Sequence, residues 1–186
     1  VGDIAKAKSE IYQGLNADGL ALMPCEDANA AVFQTASKAF KQHTFGVGQG
    51  DIHAENIVLQ PLSCAFDLVR GGERAAVLLP VPGKHNIHNA VAAAALALAA
   101  GLRLQEVSDG LQSFANIKGR LQIKSGIKNA VVLDDTYNAN PDSMKAALDV
   151  LAALPTPRVF VMGDIGELGE DESAAMHAEV GAYARD

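Results

Sequence analysis

The last third of the chain alternates short apolar runs with segments of helical periodicity, and this alternation restricts the fold more than any other feature. Strands are expected over residues 130–133 and 159–162, and helices over residues 142–154 and 173–185. A polar loop follows each expected strand. Strands that alternate with helices in this way form parallel sheets with right-handed crossovers. The sequence therefore predicts an α/β fold for this region.

The first two thirds of the chain carry a more varied series of patterns. Short β-type runs around the Gly71-Gly72 pair predict a small antiparallel sheet with a hairpin turn, and Ala-rich helices follow it. In chain order we expect a helix (3–14), a strand (19–24), a helix (28–40), three β-type runs (56–59, 65–70 and 75–79) and two helices (86–100 and 104–114).

The two kinds of pattern meet at residues 117–120. Helices close the first series there, and the strand and helix alternation begins immediately after a glycine. Domain boundaries commonly fall at such changes of pattern. The sequence therefore predicts a first domain over residues 1–118 and a second over residues 119–186.

Composition and charge exclude several classes of protein. The 186 residues are 20% charged with a mean hydropathy of +0.10, which is typical of folded rather than disordered chains. The longest apolar run, residues 90–102, is shorter than the roughly 20 residues that a membrane helix needs. A net charge of -7 argues against nucleic acid as a partner. Cys25 and Cys64 form no CxxC pair, so we expect neither a disulfide framework nor a zinc site. We therefore expect the protein to reside in a reducing cytoplasm.

Two asparagines mark the start of the expected long helix. Asn86 and Asn89 lie three residues apart, so they share one helix face next to the N-terminus, where backbone N–H groups favour polar or anionic ligands. Carboxamides in this position can read the edge of a nucleobase. The alternative is that His85 and Asn86 only cap the helix.

Two carboxylates follow the expected strand over residues 130–133. Asp134 and Asp135 thus stand at the carboxyl end of a strand, the edge where open α/β sheets bind ligands. A second polar loop, residues 162–169, is expected at the same edge. The alternative is that Asn140 or Asp142 caps the next helix and the two acids are solvated.

Together these motifs resemble those of the Mur ligase family. The central domain of that family starts a helix with G-x-H-N-x-x-N, matched by residues 83–89, and its C-terminal domain opens with GR and an acidic strand end, matched by residues 119–120 and 134–135. The opening AKAKSEI at residues 5–11 is also similar to the central domain, so the resemblance covers essentially the whole chain. The segments DDTYNANP and GDIGELG and the later His177 are similar to the members that add D-alanyl-D-alanine to a UDP-muramoyl tripeptide.

The resemblance implies a fold and a position within a longer protein. Residues 1–118 would be the C-terminal part of a central ATPase domain, and residues 119–186 the start of a Rossmann-like ligase domain. The family's phosphate loop, its magnesium-binding Glu and His and its UDP-binding domain would precede Val1. We therefore expect an internal fragment that is inactive by itself.

The resemblance also implies roles for individual side chains. Asn86 and Asn89 would face the adenine of ATP, Asp135 the ribose hydroxyls and Arg120 the phosphates. The remaining assignments are Tyr137 and Asn138 in the nucleotide pocket, Lys8 as a carbamate that supports Mg²⁺, and no direct metal ligand in this chain. Asp164, Glu167 and His177 receive no defined role.

The implied reaction is ATP-dependent amide bond formation in peptidoglycan precursor synthesis. ATP would phosphorylate the tripeptide carboxylate, and the dipeptide amine would attack the acyl phosphate, with Mg²⁺ as cofactor. The expected partners are these small molecules, with no nucleic acid and no membrane span, and the protein is expected to be monomeric. One alternative is a sister enzyme such as folylpolyglutamate or cyanophycin synthetase, and another is a non-catalytic α/β binding module.

Overall fold

The computed structural model describes residues 2–115, 117–166 and 170–185, and these form two compact units. The first unit contains the residues up to Val58 together with Ala65–Leu79 and Asn86–Ser113. The second contains Leu59–Cys64, Pro80–His85 and the chain from Phe114 onwards. Among the described helices, none has the length and apolar character that crossing a membrane requires.

A five-stranded sheet runs through the first part of the chain in the spatial order β1-β2-β3-β4-β5. Strand β1 pairs parallel with β2, and β2 pairs parallel with β3. The strands are β1 (Leu20–Pro24), β2 (Lys41–Val47), β3 (Ile52–Gln60), β4 (Ser63–Arg70) and β5 (Glu73–Leu79). Two-residue connections join β3 to β4 and β4 to β5, so these neighbours are antiparallel, because a parallel pair needs a long crossover.

The antiparallel part of this sheet was expected, but its extent was not. The runs over residues 56–59, 65–70 and 75–79 all lie in strands, and Gly71-Gly72 forms the turn between β4 and β5. These strands do not make a separate sheet, because β3 also pairs with β2 and continues into the parallel part.

Helices of the first unit pack by the apolar faces that their sequences present. The long helix α3 buries Ile87, Ala90, Val91, Ala94, Ala95 and Leu98, a spacing of three and four residues that defines one helix face. Ser108 of helix α4 donates a hydrogen bond to the carbonyl of Ala76 in β5 at 2.7 Å. The helices are α1 (Gly2–Ser9), α2 (Ala30–Ala36), α3 (Lys84–Ala99) and α4 (Leu104–Gln112), and the predicted helix over 3–14 ends as a 3₁₀ segment, Glu10–Gly14.

The second unit combines a two-stranded sheet with two helices. Strands β6 (Gln122–Ser125) and β7 (Val131–Asp134) pair antiparallel, with Gln122 opposite Asp134. Helices α5 (Pro141–Ala152) and α6 (Glu170–Tyr183) pack over a core of Leu148, Ile165 and Val180. Strand β7 and both helices match the predicted elements.

The predicted strand over residues 159–162 is wrong, since this segment is not a strand in the structure. Its side chains nevertheless alternate: Phe160 and Met162 pack on the core, whereas Val159 and Val161 are 77% and 87% exposed. An alternating pattern favours a strand, but a strand forms only when a neighbouring backbone completes its hydrogen bonds. The predicted parallel sheet is likewise not formed here, because β7 pairs antiparallel with β6.

Candidate functional site

The structure brings the two predicted asparagines into contact at the start of α3. The Asn89 side-chain amide donates to Asn86 Oδ1 at 3.4 Å, as expected for residues three apart on one helix face. Asn86 is half-buried and Asn89 is exposed. The pair thus presents carboxamide groups beside the first turn of the helix, in the first unit.

A carboxylate that sequence reasoning missed ties this helix to the sheet. Glu26 lies two residues after the end of β1, and its Oε2 accepts a hydrogen bond from the Val47 N–H at the end of β2, at 2.9 Å. The same oxygen lies 3.5 Å from His88 Nδ1 on α3. Glu26 therefore links the carboxyl ends of two parallel strands to the helix that carries Asn86 and Asn89. The available signal was its place shortly after a predicted strand.

Steric constraints explain why the first residue of the G-x-H-N segment is a glycine. Gly83 has a φ of +94°, and a Cβ at this position would lie 2.6 Å from Cε1 of the His85 ring. Residues with side chains rarely adopt this backbone conformation, and contacts this short do not occur. The chain therefore needs glycine here to start α3 with the His85 ring in its observed place.

In the second unit, the register of the two-stranded sheet assembles the other predicted residues. Gln122 lies opposite Asp134, so the same register places Leu121 opposite Asp135 and Gly119 opposite Tyr137. Two hydrogen bonds are consistent with this register beyond the ends of the two strands. The Leu121 N–H donates to Asp135 Oδ1 at 3.0 Å, and the Tyr137 N–H donates to the Gly119 carbonyl at 3.1 Å.

The two neighbouring aspartates have different surroundings. Asp134 Oδ2 accepts from Lys124 at 2.5 Å, and Oδ1 accepts from the Thr136 hydroxyl at 2.7 Å. The hydrogen bond from Lys124, followed by that from Thr136, lowers the pKa of Asp134. Asp134 is thus engaged within its own strand pair. Asp135 is half-buried and faces the Gly119–Leu121 turn, so it is the better candidate to bind a ligand.

Arg120 and Tyr137 form the most direct side-chain contact of this cluster. The guanidinium carbon lies 4.2 Å from the centroid of the Tyr137 ring, within the range of a cation–π interaction. Arg120 is exposed, and the residue Tyr137 is 71% exposed. A cation and an aromatic ring therefore stand together on the surface beside Asp135.

The two asparagines after Tyr137 have different positions: Asn138 lies in a loop, and Asn140 caps a helix. Asn138 is exposed, and its Oδ1 accepts from the Ala139 N–H at 2.9 Å. Asn140 caps α5, because its Oδ1 accepts from the Ser143 N–H at 2.9 Å. The capping alternative that the sequence left open is thus correct for Asn140.

The remaining candidates lie apart from this cluster or outside the described residues. Lys8 is exposed near the end of α1 in the first unit. His177 holds the loop at Ile165, whose N–H donates to Nε2 at 3.2 Å. Glu167 lies outside the described residues. In the part of the chain that the structure describes, no group of three or more His, Cys, Asp or Glu side chains is arranged to hold a metal ion.

Comparison with known proteins gives two family matches. Residues 1–97 match the model of the Mur ligase middle domain, and residues 119–186 match that of the Mur ligase glutamate ligase domain. The chain is 40% identical over 98% of its length to the UDP-N-acetylmuramoyl-tripeptide–D-alanyl-D-alanine ligase of Escherichia coli K12. It spans 40% of the length of that relative.

Solved structures agree with these matches. A crystal structure of MurF from Acinetobacter baumannii superposes with a TM-score of 0.91 and 41% identity, over 98% of this chain and 40% of that one. MurF from Thermotoga maritima, solved in complex with ADP, superposes with a TM-score of 0.81 over 97% of this chain and 41% of that one. At 22% identity, this second likeness shows the fold alone. Since the middle-domain match alone covers more than half of the chain, the chain belongs to the Mur ligase family.

Proposed function

We propose that the protein containing this chain adds D-alanyl-D-alanine to a UDP-N-acetylmuramoyl tripeptide at the expense of ATP. The observation that carries this proposal is the 40% identity to a ligase of that name over nearly the whole chain. Relatives named UDP-N-acetylmuramate–L-alanine ligase are also similar, but at 32% identity over 86% of the chain. The acceptor assignment therefore follows the more similar relatives.

The reaction consists of two transfers that balance in atoms and charge. The tripeptide carboxylate attacks the γ-phosphorus of ATP, and ADP leaves as an acyl phosphate forms. The dipeptide amine then attacks the acyl carbon, phosphate leaves, and the amine gives up a proton as the amide forms. Catalysis of such steps depends on positioning and on stabilising phosphoryl charge.

The geometry of the second unit suits the nucleotide part of this task. Asp135 offers a carboxylate to ribose hydroxyls, and the Arg120 guanidinium offers several donors to phosphate oxygens. Tyr137 and Asn138 follow Asp135 along the chain and are proposed to line the nucleotide pocket. In the first unit Asn86 and Asn89 offer amide groups for adenine, and Lys8 is proposed to act as a carbamate.

Mg²⁺ would neutralise phosphate charge when bound, but the described residues offer no cluster for it. The ions are therefore proposed to bind residues elsewhere in the longer protein. For the same reason, and because the sequence has no GxxxxGK[ST] phosphate loop, the 186-residue chain alone is proposed to be inactive. We further propose a cytoplasmic, monomeric enzyme with a domain boundary between residues 118 and 119.

The decisive experiment measures phosphate release by the full-length protein with Mg-ATP, UDP-muramoyl tripeptide and D-alanyl-D-alanine. We expect release only when both substrates are present, and an amide product of the combined mass. Turnover with UDP-N-acetylmuramate and L-alanine instead would assign the chain to a sister ligase. Binding of metal that is indifferent to Asn86→Ala, without turnover on any acceptor, would favour a binding module.

A further inference from the structure

Three separate contacts attach the Gly119–Leu121 turn to the carboxyl end of β7. Leu121 N–H donates to Asp135, Tyr137 N–H donates to the Gly119 carbonyl, and the Arg120 guanidinium lies over the Tyr137 ring. Gly119 has a φ of +72°, and a Cβ on it would lie 3.0 Å from the Tyr137 nitrogen. The backbones of the two segments thus approach so closely that a side chain at residue 119 would be crowded against Tyr137.

The contact of Arg120 with a ring differs from an ion pair in what it leaves available to bind a ligand. A carboxylate partner would neutralise Arg120 and occupy its N–H donors. Asp134 is paired with Lys124, and Asp135 directs Oδ1 at the Leu121 N–H. An aromatic face limits the rotamers of a long exposed arginine and leaves both its charge and its in-plane donors for a ligand.

We propose that Tyr137 is a positioning residue for Arg120. The ring holds the guanidinium beside the segment after β7 that carries Asp135, so the groups for ribose and for phosphate move as one piece. Binding at the sugar end then fixes the position of the cation at the phosphate end. This inference rests on the proposed function for the roles of Arg120 and Asp135, but the contact itself can be tested separately.

The first test detects the contact without any substrate. Arginine side-chain NMR of the 186-residue chain is compared for the unsubstituted chain, Tyr137→Phe and Tyr137→Leu. Protons above an aromatic face resonate upfield, so the Arg120 side-chain signals are expected upfield in the unsubstituted chain and in Tyr137→Phe but not in Tyr137→Leu. Tyr183→Leu removes another exposed ring of the second unit and serves as the control, with Arg120 signals unchanged. Arg120 signals that do not move in Tyr137→Leu overturn the proposal.

The second test uses the full-length ligase and a double-mutant cycle. The fall in kcat/KM for ATP caused by Tyr137→Leu is measured in the unsubstituted and the Arg120→Ala backgrounds. If Tyr137 acts through Arg120, the fall is about two- to five-fold smaller in the Arg120→Ala background, and Tyr137→Phe restores most of the activity. Equal falls in both backgrounds mean that the ring acts only on the nucleotide, and they overturn the proposal.

The two tests separate this inference from the proposed function. If the ring shift is present but Arg120→Ala keeps full turnover, the role of Arg120 in the proposed function fails, and the positioning role fails with it. If Arg120→Ala loses most of its turnover but the ring shift is absent, the proposed function stands and the positioning role alone is overturned.

Discussion

The imidazole of His177 joins helix α6 to the loop before it, because its Nε2 accepts a hydrogen bond from the Ile165 N–H at 3.2 Å. On the other side of the ring, Nδ1 lies 2.7 Å from the Ser173 carbonyl. An amide N–H can only donate and a carbonyl can only accept, so the proton must reside on Nδ1. The ring is thus a neutral bridge, and Ile165 on one side of it belongs to the core.

We predict that His177→Ala lowers the free energy of unfolding by about 1 to 3 kcal/mol, because it leaves the Ile165 N–H and the Ser173 carbonyl without this partner. Urea unfolding of the 186-residue chain provides the measurement. Ser173→Ala is the matched control, since the backbone carbonyl that accepts from Nδ1 remains; it should change stability little. Equal stability of His177→Ala and the unsubstituted chain would show that water replaces both bonds.

Gly119→Ala should destabilise the second unit, whereas Gly181→Ala should not. At position 119 a methyl group meets Tyr137 at 3.0 Å with a φ of +72°, which we expect to cost about 1 to 2 kcal/mol. At position 181, inside α6, an added Cβ has no heavy atom within 4 Å, so alanine should stabilise the helix by up to about 1 kcal/mol. Thermal unfolding of both variants checks the opposite signs.

Two substitutions of Asp135 should separate its structural role from its proposed role in binding. Asn keeps an oxygen that can accept from the Leu121 N–H, so Asp135→Asn should unfold like the unsubstituted chain. Asp135→Ala should lose about 1 kcal/mol of stability. In the full-length ligase both substitutions should raise the KM for ATP. For Asp135→Ala the rise should correspond to a loss of about 1 to 3 kcal/mol in binding free energy. An unchanged KM in both variants would remove Asp135 from the nucleotide site.

The sequence predicted the elements whose apolar pattern matches their surroundings. Strand β5 alternates buried and exposed residues, and α3 has a continuous apolar face, so both were found. Strand β2 was missed because it begins with the polar run Lys41–Thr44, although it lies between two other strands. Residues 159–162 show the reverse case, where a strand pattern lacks a paired neighbour in the structure.

The candidate site was predicted residue by residue but not as an arrangement. The resemblance pointed to Arg120, Asp135 and Tyr137 separately. Their mutual contacts follow from the β6–β7 register, and β6 was not predicted, because its four residues carry no distinctive alternation. The link from Glu26 to His88 joins residues far apart in sequence, so no local pattern could indicate it.

Limited proteolysis should test the proposed domain boundary. Lys118 is exposed and directly precedes the glycine at which the second family match begins, so trypsin should cut there first. Arg103, which is also exposed, provides an internal comparison, because it caps α4 and bonds Glu106 at 2.8 Å. Lys118→Gln should move the early cut to Arg120, the next exposed basic residue. A first cut at Arg103 would argue against a boundary at residue 118.

The last prediction concerns acid stability and the loop between β2 and β3. Asp51 Oδ2 accepts from the Thr44 N–H at 2.7 Å and from the Thr44 hydroxyl at 3.0 Å. The backbone bond, more than the hydroxyl, lowers the pKa of Asp51 below its ordinary value of 3.8, although partial burial opposes the change. A carboxylate with a lowered pKa adds stability at pH values above its ordinary pKa. That stability is lost as the pH falls through the folded-state value.

We therefore expect Asp51→Ala to lose about 1 kcal/mol of stability near neutral pH, a modest amount because the side chain is exposed. The difference from the unsubstituted chain should narrow as the pH falls below 3.8, the ordinary pKa of Asp51. Thr44→Val keeps the backbone donor but removes the hydroxyl, which also accepts from the Asp51 N–H at 3.1 Å. Because that bond does not depend on the carboxylate, the stability loss of Thr44→Val should vary less with pH. Urea unfolding of the three proteins over a series of acidic buffers measures these differences. A stability difference for Asp51→Ala that stays constant or widens in acid would contradict the assignment, because the hydrogen bonds from Thr44 stabilise the ionised carboxylate more than the protonated one.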